Sequence, residues 1–205
     1  MKDENKTTIE AENIIIVDAD YIDEVTGILL GGFEKSLGRK FPKADIAKWT
    51  DCVALDGGLM PGDNKTAVIM FHDKNKNALV HFVPSEFEKD LNEQAFKDNL
   101  GEFVYTSIPV EKEILRGEMI KETVSVLCAQ KNVKRITMVA NVEQFYKDIE
   151  EGLKDNGKDK DKENKKKEFS AVTMHLKKDW DMEQNILAFS IMHTLGITDE
   201  DMKKL

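Results

Sequence analysis

The chain has 205 residues, of which 40% are hydrophobic and 34% charged, and a formal net charge of −9. That length and apolar content exclude wholesale disorder, since folded domains of this size bury roughly 70% of their unfolded surface. Arg39, Arg116 and Arg135 are the only arginines; so few guanidinium forks argue against a dedicated duplex-DNA binder.

Cys52 and Cys128 have no second Cys and no His at zinc-ligand spacing, so neither a disulfide scaffold nor structural zinc is expected. The polar opening "MKDENKTTIEAEN" leads into an apolar run, residues 14–17, too short for a signal region or a membrane span. These features predict a cytoplasmic protein with no membrane partner. Residues 1–12 read as a flexible tail and residues 13–205 as a single domain.

Residues 13–17, "NIIIV", predict a buried strand, continuously apolar as parallel strands covered on both faces are. Ile22, Val25, Ile28, Leu29, Phe33 and Leu37 then recur at steps of three and four, which predicts a helix. Gly27 and Gly31 share one side of it and suggest close packing on the sheet. Residues 45–52 predict a short helix around Ile46 and Trp49, and "DGGLMPGDN" a turn-rich loop without phosphate-loop spacing.

"TAVIMFHDKNKNALVHFVP" predicts a β-hairpin, with strands 67–73 and 78–83 around a polar turn. "SEFE" opens a helix as a capping box of Ser85 and Glu88. "EFVYTSIP" reads as a strand, residues 110–130 as mostly helix with Ile120, Val124 and Leu127 inward, and "RITMVAN" as a strand. "VEQFYKDIEEGLKDNG" is a helix with Val142, Phe145, Ile149 and Leu153 inward. Residues 154–168 hold seven lysines, five acids and no hydrophobic side chain, and so predict a mobile charged loop. "FSAVTMHL" resumes as a strand, and "DMEQNILAFSIMHTLG" closes as a helix with Leu187, Ile191 and Leu195 inward. The alternation predicts an α/β three-layer sandwich with a mainly parallel sheet, one β-hairpin and helices on both faces.

The first strand runs into Asp18 and Asp20, and ligands of open parallel sheets bind beyond strand carboxyl ends. Two carboxylates there are hard oxygen ligands for Mg²⁺ or Mn²⁺. The structural alternative makes Asp20 the cap of the next helix, with Asp23 and Glu24 favouring its positive end, and leaves Asp18 unexplained.

"IIIVDADYIDEV" resembles the opening strand and helix of NYN and PIN-like nucleases, and "RITMVANVEQFYKDIEEGLKDNGK" their later strand, acidic turn and helix. That resemblance implies an acidic cluster holding Mg²⁺ or Mn²⁺ to cleave RNA. The later turn here reads Ala140, Asn141, Val142, Glu143, so Glu143 alone could stand in for its carboxylates. The D-x-D strand end, with Thr106 or Ser107, is also similar to the first two motifs of haloacid-dehalogenase phosphatases, which implies Asp18 as nucleophile and Asp20 as general acid. Ile22 stands where that family carries Thr. As a whole the chain resembles an uncharacterised bacterial family with no assigned activity.

A catalytic site would comprise Asp18 and Asp20 with Asp56 or Asp73, and Thr106, Asn141 or Glu143 as neighbours. Asn141 and Gln144 also have capping-box spacing. His72 and His81 would share a hairpin face beside Asp73, as a metal or acid/base cluster or as locally bonded histidines. The leading expectation is a binding protein with a PIN-like fold and a degenerate acidic site, its partner a protein or single-stranded RNA. The competing one is a metal-dependent phosphoryl-transfer enzyme.

Overall fold

The computed structural model describes residues 10–111, 113–155 and 167–204, with backbone alone at 113, 114 and 155. The elements in chain order are β1 (Asn13–Asp18), α1 (Ala19–Leu37), β2 (Ala44–Asp45), α2 (Ile46–Asp56), β3 (Asn64–Asp73) and β4 (Phe82–Val83). A π-helical turn (Phe87–Leu91), β5 (Ala95–Asp98), β6 (Gly101–Val110), α3 (Glu113–Ala129), β7 (Arg135–Val139) and α4 (Val142–Gly152) follow. A 3-10 turn (Leu153–Asp155), β8 (Glu168–Thr173), β9 (Glu183–Ile186), α5 (Leu187–Thr194) and α6 (Asp199–Met202) complete the chain.

Seven strands form one sheet in the order β5-β6-β3-β1-β7-β8-β9, and every pairing except β5 with β6 is parallel. Numbered along the chain, the six parallel strands lie 3-2-1-4-5-6, the doubly wound order whose switch point falls between β1 and β7. β1 is central and buried at all six positions, as its uninterrupted apolar run requires.

Alternate side chains of β1 feed two cores. Ile15 and Val17 pack with Ile22 and Val25 of α1, Trp49 and Val53 of α2, and Leu187 and Ile191 of α5. Ile14 and Ile16 pack with Ile120, Val124 and Leu127 of α3 and Phe145 and Ile149 of α4. The expected three-layer α/β sandwich is present, with helices on both faces.

The hairpin over residues 67–83 is not. β3 is flanked in parallel by β1 and β6, so both its edges are taken and no antiparallel partner can join. Residues 78–83 instead lie along α1: the Asp23 carboxylate accepts the Val80 and His81 amides at 2.8–3.0 Å, and β4 pairs in parallel with β2 in a separate two-stranded sheet. The antiparallel pair is β5 with β6, and it turns through Gly101 at φ 127. A Cβ there would sit 2.2 Å from the Asn64 carbonyl oxygen, so only glycine lets β6 start this close to β3.

Three further expectations need correction. "SEFE" forms the π-helical turn with no Ser85 cap; the Asp90 carboxylate takes the Ser85 and Glu86 amides instead. Residues 183–186 form β9 against β8, and the last long helix starts at Leu187, with Leu187, Ile191 and Leu195 buried as expected. Gly27 packs against the His81 ring, where a Cβ would lie 2.6 Å from Cε1, whereas Gly31 faces open space.

Of the expected tail, Ala11 is buried and the Glu12 carbonyl accepts the Lys134 amide; residues 1–9 lie outside the described residues. Of the expected loop, Lys154 and Asp155 close the 3-10 turn, Lys167 is buried and Glu168 opens β8; residues 156–166 lie outside the described residues.

Candidate functional site

Both carboxylates of the D-x-D run stand at the carboxyl end of β1, beside the switch point, and their capping roles are the reverse of those expected. Asp18 is the N-cap of α1: its Oδ1 accepts the Tyr21 amide at 3.2 Å. Asp20, two residues further on in the first turn, accepts the Asp73 amide at 2.8 Å on Oδ2 and so ties the end of β3 to the start of α1.

Arg116 comes down between them. It sits in the first turn of α3, four residues before Ile120 and eight before Val124, and so lies on that helix's apolar stripe. Its Nη1 donates to Asp18 Oδ1 at 2.8 Å and its Nη2 to Asp20 Oδ2. Lys76, just past the end of β3, reaches Asp20 Oδ1 at 2.9 Å. Two anions and two cations thus neutralise one another, with Asp18 3% and Arg116 6% exposed. A planar fork suits this position because it reaches two acids at once.

The electrostatics differ across the pair. Burial pushes the Asp18 carboxyl up to about 6, against the pull of Arg116 and the Tyr21 amide. Burial acts on Asp20 the same way, but the Lys76 and Asp73 hydrogen bonds and the Arg116 charge outweigh it and hold that carboxyl below its ordinary range. The Asp20 hydrogen bond in turn holds the Lys76 ammonium above its usual value.

The other expected residues are placed differently. Asp73 bonds to the cluster through its amide; its carboxylate accepts the Asn75 amide and side chain at 2.8 and 2.9 Å and acts on Lys76 through its charge alone. Thr106 is exposed in the middle of β6, on the face that lines a small cavity with Lys65 and Glu102. Glu143 is exposed in the first turn of α4, at the carboxyl end of β7, and bonds to neither Asp18 nor Asp20. Asn141 caps α4 by accepting the Gln144 amide, as its spacing implied. Asp56 ends α2, with its carbonyl bound by Asn185, and its carboxyl is raised by burial and by Glu183.

His72 and His81 do not meet as a pair. His72 is buried and stacked on Phe87 with ring centroids 3.8 Å apart, its Nδ1 on the Asp73 carbonyl at 3.0 Å. His81 instead sits 3.2 Å from Asp23 through its own Nδ1. Among the described residues, no three His, Cys, Asp or Glu side chains converge as a metal-binding group.

Residues 7–202 match the model of a family described as a family of unknown function (DUF6621). The chain belongs to that family. No curated protein and no solved structure matches it. The match bears out the resemblance to an uncharacterised family and lends nothing to the nuclease likeness. Among the described residues of this DUF6621 chain, no helix is long and apolar enough to cross a membrane.

Arg116, Lys76 and Asp23 are the site residues that sequence reasoning missed. For Arg116 a signal existed: an arginine on the inward stripe of a helix must meet buried acids, because an unpaired buried charge is prohibitive. For Lys76 no local pattern gave a sign, and Asp23, read only as favouring the positive end of α1, in fact accepts the Val80 and His81 amides.

Proposed function

We propose that this protein acts by binding, and that Asp18 and Asp20 form a degenerate acidic site whose work is structural. One observation carries the reading: the Arg116 guanidinium stands between the two carboxylates, where a divalent ion would have to stand. Of their four oxygens, Asp18 Oδ1 and both oxygens of Asp20 already accept hydrogen bonds from the chain itself. The partner we favour is a protein, and the compartment the cytoplasm. Cys52 and Cys128, neither of them in a disulfide, fit a reducing compartment.

The competing reading, a PIN-like or phosphatase-like enzyme holding Mg²⁺ or Mn²⁺ on Asp18 and Asp20, requires the ion to displace Arg116. Calorimetric titration with Mn²⁺ and Mg²⁺, on wild type and Asp18→Asn, separates the two. The expected result is no binding to either protein up to about millimolar metal, the weak end of protein carboxylate sites. Saturable binding to wild type that disappears in Asp18→Asn would overturn the reading and call for assays on single-stranded RNA and phosphate esters.

A further inference from the structure

Far from the switch point, at the β8–β9 end of the sheet, a groove of about 800 Å³ opens beside Trp180. Trp180, Phe169 and Met182 give it an apolar floor, and Glu150, Asp179, Asp181 and Glu183 line it with carboxylates. Those four acids are exposed, and none has an ion-pair partner among the described residues. A fifth, Glu168, is already paired with Arg135 at 2.5 Å. Among the described residues Lys167 is the one cation lining the groove, and its ammonium is turned to the Gln130 carbonyl at 2.6 Å. Trp180 is 8% exposed, and its indole N–H has no hydrogen-bond partner among the described residues. Among the described residues β9 ends the sheet, and no strand pairs with its outer edge.

Each observation narrows the occupant. Four unpaired acids around one cavity set up a negative field that attracts cations. The indole N–H of this largely buried tryptophan lacks a partner among the described residues and asks for an acceptor, which a carbonyl supplies and a polyamine or a metal ion does not. An open strand edge accepts extended backbone. Cationic side chains, carbonyl acceptors and extended backbone occur together in a basic peptide. We infer that the groove beside Trp180 docks an extended lysine- or arginine-bearing segment of a partner protein. The inference rests on the binding reading above and names the partner's chemistry.

The probe is a blocked peptide of alternating lysine and alanine, about ten residues long, enough to span a sheet edge. Trp180 emission reports its binding, because the only other tryptophan, Trp49, is wholly buried in the α2 core. Saturable binding is expected, weakening as salt is added. The triple variant Asp179→Asn, Asp181→Asn, Glu183→Gln changes only exposed side chains and is expected to bind about tenfold more weakly, while spermine binds wild type about tenfold more weakly than the peptide does. Asp18→Asn is expected to bind the peptide as wild type does.

No peptide binding, an unaffected triple variant, or spermine binding as tightly would each overturn the inference. So would binding gained only after the lysines at 158, 160, 162, 165 and 166 are changed to glutamine, since the acids would then serve the chain itself. Failure here with no metal binding leaves the switch-point reading standing. Metal binding lost in Asp18→Asn overturns that reading whatever the peptide does.

Discussion

Arg116→Ala is expected to lose about 3–5 kcal/mol of stability at neutral pH, the range found when one partner of a buried ion pair is removed. The loss is large because Asp18 and Asp20 would lose the fork that answers both: Asp18, which Arg116 pulls down against burial, is left to take up a proton or stay unpaired, and Lys76 reaches only Asp20 Oδ1. Arg116→Lys should recover part of the loss, because one ammonium cannot span both carboxylates in the same plane. Urea unfolding at neutral pH measures the effect. Repeating it near pH 5, below the value of about 6 that burial imposes on Asp18, should shrink the deficit as that carboxyl protonates. A variant as stable as wild type at both pH values would show that the carboxylates are answered by water, not by the guanidinium.

The second large effect is a pH dependence. Burial raises the Asp18 carboxyl from 3.8 to about 6, so between those values the folded protein binds more protons than the unfolded chain. Stability contributed by this group is therefore present in acid and falls as pH rises through that window. A shift of roughly two pH units corresponds to about 3 kcal/mol. Asp18→Asn cannot titrate, so the stability of wild type minus that of the variant should drop by about that amount between the acid and the neutral plateau. Asp20 has the opposite sign: its lowered carboxyl contributes stability above 3.8 that is lost as pH falls through the folded-state value. Chemical denaturation of both Asn variants across the acid range tests the two slopes, and parallel curves would refute the assignment.

Much of the fold was legible because its signals are local. The continuous apolar run of β1, and the stripes through Ile22 and Val25, Ile120 and Val124, and Phe145 and Ile149, all face cores as their spacing implied. Strand pairing was not legible in the same way. Residues 67–83 have the pattern of a hairpin, yet β3 takes its neighbours from β1 and β6, and the choice is made by strands distant in sequence. The same limit applies to the site. The D-x-D run marked the right end of the right strand, while its chemistry depends on Arg116, about a hundred residues away. Which aspartate caps α1 turned on whether the helix starts at Ala19 or past Asp20, a margin of two residues that periodicity does not fix.

The cluster around Arg116 also binds together the ends of three elements that would otherwise fray separately. The Asp73 amide closes on Asp20, Lys76 reaches back from beyond β3, and Arg116 anchors the first turn of α3. Strand ends and first helical turns ordinarily open at low free-energy cost. Here none of the three can open without taking a hydrogen-bond or ion-pair partner from one of the two carboxylates, so they form one cooperative unit with the sheet centre. In deuterium exchange the Asp73 amide, though last in its strand, is expected to be protected like the interior of β1, and Arg116→Ala to release it to the faster rate of a surface turn.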